Sequence, residues 1–225
     1  MVFSTCKLER IMKMKQYILG CMTAAVVFGC SVASVKADDL YPPSWTRGAA
    51  GTTYQAWDFG TIASPVVADS YYNPYGLPYA TITGGTWAYF YDNHVGVWTL
   101  GASDSIDLYV PNTPLNLNNT KEVWTQVTWQ PDAGPAPVVT VDYGSGSSTV
   151  STLQFTLPLA NGSDWLQSVY LAELPYNPAW ENVVVTETGD VGQVVIDTEC
   201  VPEPSSLALL ALGGISLLSY ASRKR

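Results

Sequence analysis

From Asp38 to Cys200 apolar and polar residues alternate in short stretches, separated at close intervals by clusters of Gly, Pro and Asn. Alternation with a period of two turns one face of an extended chain toward a core, whereas a surface helix repeats its apolar residues every 3.6 positions. No stretch here keeps the helical period for ten residues. The alternation is cleanest in Val123-Trp124-Thr125-Gln126-Val127-Thr128-Trp129 and from Val191 to Ile196. The pattern predicts strands at Thr52–Phe59, Tyr79–Thr83, Thr86–Tyr91, Val95–Leu100, Ser105–Val110 and Glu122–Trp129. It continues with Val138–Tyr143, Thr149–Leu157, Leu166–Leu174, Glu181–Glu187 and Gly192–Asp197. Many short strands joined through turn signals predict an all-β fold, and two packed sheets account for this number of them. The expected architecture is a jelly-roll-like β-sandwich.

All eight tryptophans, Trp45, Trp57, Trp87, Trp98, Trp124, Trp129, Trp165 and Trp180, lie in this region. Trp57, Trp98 and Trp129, each inside a predicted strand, are expected in the core, where aromatic side chains contribute most. The stretch from Asp69 to Tyr79 differs: Tyr71, Tyr72, Tyr75 and Tyr79 stand among Pro74, Gly76 and Pro78. That composition predicts a loop rather than continued sheet. Its tyrosines either stack on sugar faces, a glycan-binding role, or pack on the sandwich edge. The closing segment, Pro178-Ala-Trp-Glu-Asn-Val-Val-Val-Thr through Val194-Val-Ile-Asp197, resembles the last strands of discoidin-like or galactose-binding-like sandwiches.

Between Asp38 and Cys200 there are 17 acidic residues against two basic ones, Arg47 and Lys121. So acidic a surface repels nucleic acid, whose phosphates need Lys and Arg to displace their counterions. It suits solubility outside a cell.

The last 25 residues, Val201 to Arg225, change character. Pro202-Glu203-Pro204 fixes two φ angles and lacks two backbone donors, which keeps the triplet out of a helix interior or a central strand. An uncharged, leucine-rich run follows from Ser205 to Ser222, and its 18 residues span about 27 Å as a helix, close to the hydrocarbon thickness of a bilayer. Arg223, Lys224 and Arg225 close it, and such a basic stop stays on the cytoplasmic side. These three parts in this order resemble the PEP-CTERM sorting domain of Gram-negative bacteria. The resemblance implies recognition of Pro202, Glu203 and Pro204 by an exosortase, a transient stay in the inner membrane, removal of the tail, and delivery to the cell surface or exopolysaccharide matrix.

At the other end Lys7, Arg10, Lys13 and Lys15 precede an uncharged run from Gln16 to Val35, the layout of a secretory signal peptide. Cleavage is expected between Ala37 and Asp38, with Ala33 as an alternative, and translation could begin at Met12 or Met14. Val27-Phe28-Gly29-Cys30 also looks somewhat like a lipoprotein box, an alternative route that would acylate Cys30. The chain therefore divides into a signal peptide (1–37), a delivered domain (38–200) and a sorting signal (201–225). Cys6, Cys21 and Cys30 fall in the first part, so Cys200 is the one cysteine left to the delivered domain, unpaired or paired between molecules.

Chemistry finds few footholds. His94 is the chain's single histidine, and no Gly-x-Ser-x-Gly elbow occurs, which disfavours a nucleophilic triad. Zinc needs more His or Cys ligands than the domain holds. Paired carboxylates could hydrolyse glycosides, with Asp58, Asp92, Asp104 and Asp107 as the acids to watch. Calcium needs only oxygen ligands, and Asp104-Ser-Ile-Asp107, Asn161-Gly-Ser-Asp164 and Glu187-Thr-Gly-Asp190 are the local clusters, although none follows a known calcium-loop pattern. The expectation is a protein that is not an enzyme, with no cofactor and no metal site. Its role is structural or adhesive, or it is a carbohydrate-binding module; a glycoside hydrolase or lyase ranks below both.

Overall fold

A computed structural model describes residues 39–114, 119–131, 134–159 and 164–202. All of them belong to the second of two units into which the chain divides, residues 37–225. The described residues form fourteen strands. These are β1 (Thr52–Trp57), β2 (Val66–Val67), β3 (Ser70–Tyr72), β4 (Tyr79–Thr83), β5 (Thr86–Tyr91), β6 (His94–Leu100) and β7 (Ser105–Pro111). The others are β8 (Asn119–Gln130), β9 (Val138–Tyr143), β10 (Ser147–Val150), β11 (Thr152–Pro158), β12 (Leu166–Leu174), β13 (Trp180–Thr186) and β14 (Gly189–Pro202). One sheet runs β11-β12-β8-β14-β1-β3, with the β5–β6 hairpin attached through β6 to β14; the other runs β10-β9-β13-β7-β4-β2. Every pairing is antiparallel.

The chain crosses repeatedly between the sheets, so apart from the hairpin pairs β5–β6, β9–β10 and β11–β12 most neighbours within a sheet are distant in sequence. Strands β1, β14, β8 and β12 interleave with β7, β13, β9 and β10. The inward faces meet in one apolar cluster that draws Trp57, Val127, Trp129, Val194 and Ile196 from the first sheet and Ile106, Leu108, Val141, Val183 and Val185 from the second. Trp57, Trp98 and Trp129 are buried as their strand positions predict. Trp165 is buried too, although it lies outside a strand, with its indole N–H donating to the Asp92 carbonyl at 2.9 Å.

Several expectations need correction. β1 stops at Trp57, because Phe59 takes a φ of 50° and turns into the core instead of continuing the alternation. The backbone there packs against Gly96, whose φ is 75° and where a Cβ would lie 2.3 Å from the Asp58 carbonyl oxygen. The stretch Thr149–Leu157 is two strands: at Ser151 the chain leaves the second sheet for the first, so β10 and β11 belong to different layers. The segment Asp69–Tyr79 is not all loop, since Ser70–Tyr72 forms β3 on the edge of the first sheet and Tyr79 opens β4 in the second. Pro202 also joins a strand: it ends β14 and pairs with Asn119. The missing N–H is tolerated because β1 reaches only to Glu199, so beyond that point β14 has β8 on one side and is an edge on the other.

A segment before β1 straps the outer face of the first sheet. Arg47 lies 4.0 Å over the Tyr54 ring, bonds Asp39, and reaches Asp197 at 2.5 and 2.6 Å. Trp124 donates its indole N–H to the Tyr41 carbonyl at 2.9 Å. Burial pushes Asp197 up to about 6, and Arg47 pulls the other way.

Glu187, between β13 and β14, is buried, and among the described residues neither of its oxygens meets a hydrogen-bond donor. Burial, with Asp190 adding to it, pushes its pKa up to about 9. The folded domain thus holds a proton that the unfolded chain releases near the ordinary glutamate value. This contribution to stability is full below about pH 4.5 and is lost as the pH rises toward about 9. We expect Glu187→Gln to raise stability at about pH 8 by roughly 2 kcal/mol and to flatten the decline between about pH 5 and 9. Urea melts across that range check it; an unchanged slope would count against a protonated Glu187.

Candidate functional site: the aromatic face and the sorting junction

The outer face of the second sheet carries a row of half-exposed aromatic side chains. Tyr79 on β4 pairs across the ladder with Tyr109 on β7, and their rings stack at 5.0 Å between centroids, 26° apart in plane. Trp180 at the start of β13 continues the row, 6.3 Å from Tyr109 and 29° from parallel. Alternation puts all three side chains outward, opposite to Leu108, Val110 and Val183, which are fully buried. The three rings thus stand side by side in one ordered row across β4, β7 and β13.

At the Trp180 end lies a shallow depression lined by Asp142, Tyr143, Gly144, Ser147, Ser148 and Trp180. Cross-strand pairing brings Asn182, Asp142 and Ser148 into one line with Tyr109. An aromatic wall beside carboxylate, amide and hydroxyl groups combines stacking with hydrogen bonding, which is what a hydroxyl-rich ring requires. Burial raises the pKa of the Tyr109 phenol, and Tyr79 adds to it, so Tyr109 remains a neutral donor and acceptor at neutral pH.

The four tyrosines singled out from the sequence do not form one platform. Tyr71 and Tyr72 are exposed on β3, Tyr75 sits in the following turn, and Tyr79 alone joins the stacked row. The turn is pinned by Asn73, which accepts from the Tyr75 backbone at 3.0 Å and donates to the Pro111 carbonyl at 2.8 Å. The sequence does not mark Tyr109 and Trp180 as binding residues, because their partnership depends on registers between strands far apart in sequence.

The acids weighed for glycoside hydrolysis all serve the fold. Asp58 accepts from Gln193 at 2.6 Å and Asp92 from Gln130 at 2.7 Å. Asp104 accepts from the backbone of Gly85 and Gly101, and Asp107 from Ser105. His94 stacks near Trp165 at 4.7 Å and fills the space where a side chain on Gly192 would begin. Among the described residues no group of three or more His, Cys, Asp or Glu is placed to hold a metal ion. Residues 161–163 of one calcium cluster lie outside the described residues.

Pro202, the first residue of the sorting triplet, ends the fourteen-residue β14, so folded sheet runs directly into the tail without a spacer. Glu203, Pro204, the apolar run 205–222, the basic stop Arg223, Lys224 and Arg225, and the cleavage pair Ala37 and Asp38 lie outside the described residues. Among the described residues no helix is long and apolar enough to cross a membrane. No curated protein matches the chain. Residues 201–225 match the family model of the PEP-CTERM protein-sorting motif, and this motif marks an exported protein that an exosortase processes from a membrane-anchored precursor.

Proposed function

We propose that the delivered domain is a non-enzymatic structural or adhesive component of the cell surface or its exopolysaccharide matrix, and that it contacts glycans through the outer face of its second sheet. The observation that carries this reading is the Tyr79–Tyr109–Trp180 row ending at the Asp142–Ser148 depression. Surface binding needs rigid aromatic groups that cost little entropy to present, and a β-sheet supplies them already ordered. The interleaved strand order supports a jelly roll as the scaffold. The carboxylates hold turns and strands rather than converging in a cleft, which supports binding without hydrolysis. In the same reading, a signal peptide released after Ala37 starts export, and the apolar run 205–222 holds the precursor in the inner membrane until the exosortase acts.

A glycan array and pull-down on the producing cell's own polysaccharide test the binding face. Trp180→Ala and Tyr109→Ala should each lower binding about 10-fold or more, the effect of one lost stacking contact. Tyr72→Ala and Tyr75→Ala should leave binding unchanged. The opposite pattern would move the site to the β3 turn, and release of reducing sugar would replace binding by hydrolysis.

A further inference from the structure

The interior holds a lysine wholly excluded from water. Lys121, on β8, is fully buried, and so is Glu181, facing it from β13 in the opposite sheet. Its Nζ lies 3.1 Å from Oδ1 of Asn112, 3.7 Å from Oε1 of Glu181 and 3.6 Å from Sγ of Cys200. Asn112, just past the end of β7, is held on both sides of its carboxamide. Oδ1 also accepts from the Thr113 backbone N–H at 2.8 Å. Nδ2 donates to Glu181 Oε2 at 3.1 Å and to Asn177 Oδ1 at 2.8 Å. Oε1 of Glu181 finds no hydrogen-bond partner among the described residues.

As a mere ion pair this arrangement is poor. Two charges are taken out of water at a separation beyond hydrogen bonding, and a buried pair of that kind seldom stabilises relative to apolar residues. As a reactive constellation it is complete: an amine, a carboxamide, a donor at the carboxamide oxygen and a carboxyl group at the carboxamide nitrogen. We infer that Lys121 and Asn112 condense to an intramolecular amide cross-link, with Glu181 as the proton-transfer group.

The step balances without any outside reagent. Glu181 takes a proton from the Lys121 ammonium, which frees the amine lone pair, and burial favours that exchange by raising the Glu181 pKa. Moving from Oδ1 to the adjoining Cγ lies within the freedom of a lysine's terminal torsions. Nζ adds to Cγ, and the charge that develops on Oδ1 faces the Thr113 N–H. Glu181 delivers its proton to Nδ2, the Cγ–Nδ2 bond breaks, and a second proton from Nζ follows by way of the same carboxylate. The nitrogen leaves as ammonium, Glu181 ends as it began, and one Nζ–H remains in the new amide. Fixed proximity of the two groups stands in for a catalyst. The product ties the end of β7 in one sheet to the start of β8 in the other and removes a buried charge from a domain that has no disulfide. It is one self-modification per molecule, with no external substrate.

Trypsin reads the outcome directly, because it cuts after a lysine only when the side-chain amine is free. After Arg47 the next basic residue is Lys121, so the denatured full chain should yield a peptide that starts at Gly48 and runs uncut past Lys121. Its mass should fall below the sequence value by one ammonia, about 17 Da, with fragment ions joining Lys121 to Asn112. Cleavage after Lys121, an uncut peptide of unmodified mass, or a link to any other residue would overturn the inference. Glu181→Gln should restore cleavage after Lys121; full cross-linking in that variant would remove Glu181 from the mechanism. If the variant fails to fold, the fragment ions of the parent protein decide the matter by themselves.

Discussion

Changing Glu203 to alanine should leave the chain uncut and bound to the membrane, as a precursor that the exosortase no longer processes. Glu203 carries the one charge between Glu199 and Arg223, set between two prolines that fix the backbone on either side. An enzyme that reads so short a signal has two prolines and a single carboxylate to recognise. Loss of a charge-assisted hydrogen bond of about 2.7 kcal/mol slows processing of order 100-fold. Fractionation and blotting should find the longer species in the membrane pellet, and Glu203→Asp should recover part of the processing. Release of Glu203→Ala at the parent's size and rate would detach processing from the motif.

The second large effect is on stability. Trp57 is fully buried at the end of β1, lies in the core shared by both sheets, and donates its indole N–H to the Val66 carbonyl at 3.3 Å. Trp57→Ala removes the side chain, leaves a cavity and strips the Val66 carbonyl of a partner. The expected loss is about 3–5 kcal/mol, roughly a fifth or more of what a folded domain commonly has. Urea denaturation should show a lower midpoint with a similar slope. Trp180→Ala, on the half-exposed outer face, should cost about 1 kcal/mol or less. That contrast separates core from surface tryptophan, and it keeps Trp180→Ala usable as a binding variant. Equal losses at the two positions would mean that the outer row belongs to the structural core.

Strands bounded by turn residues were legible in the sequence to the residue: Tyr79–Thr83, Thr86–Tyr91, Val138–Tyr143 and Leu166–Leu174 are β4, β5, β9 and β12. Gly or Pro stands directly at one or both ends of each (Pro78 and Gly84, Gly85, Pro137 and Gly144, Pro175), so local chemistry marks those limits. The two-residue β2 and three-residue β3 are too short to show a period and exist through their partners β4 and β1. The crossing at Ser151 leaves no turn signal: no Gly, Pro or Asn separates β10 from β11, and the only trace is the shift of parity between Val150 and Leu153. Lys121 shares parity with Val123, Val127 and Trp129, so extending that alternation two residues back would have turned it inward. A charged side chain argues against such an extension, and the group that faces it, the buried Glu181, comes from a strand sixty residues away. Of the stacked row the sequence marks only Tyr79, in its tyrosine-rich stretch, whereas Tyr109 and Trp180 depend on the cross-strand register.

The account's central claim is that a folded sandwich leaves the cell after its C-terminal tail is cut away beside β14. Mass spectrometry of the protein collected from outside intact cells tests it most directly. The account predicts a C-terminal peptide that ends within or next to Pro202-Glu203-Pro204, with nothing recovered from the apolar run or the basic stop. A chain still carrying Arg223, Lys224 and Arg225 outside the cell would contradict it.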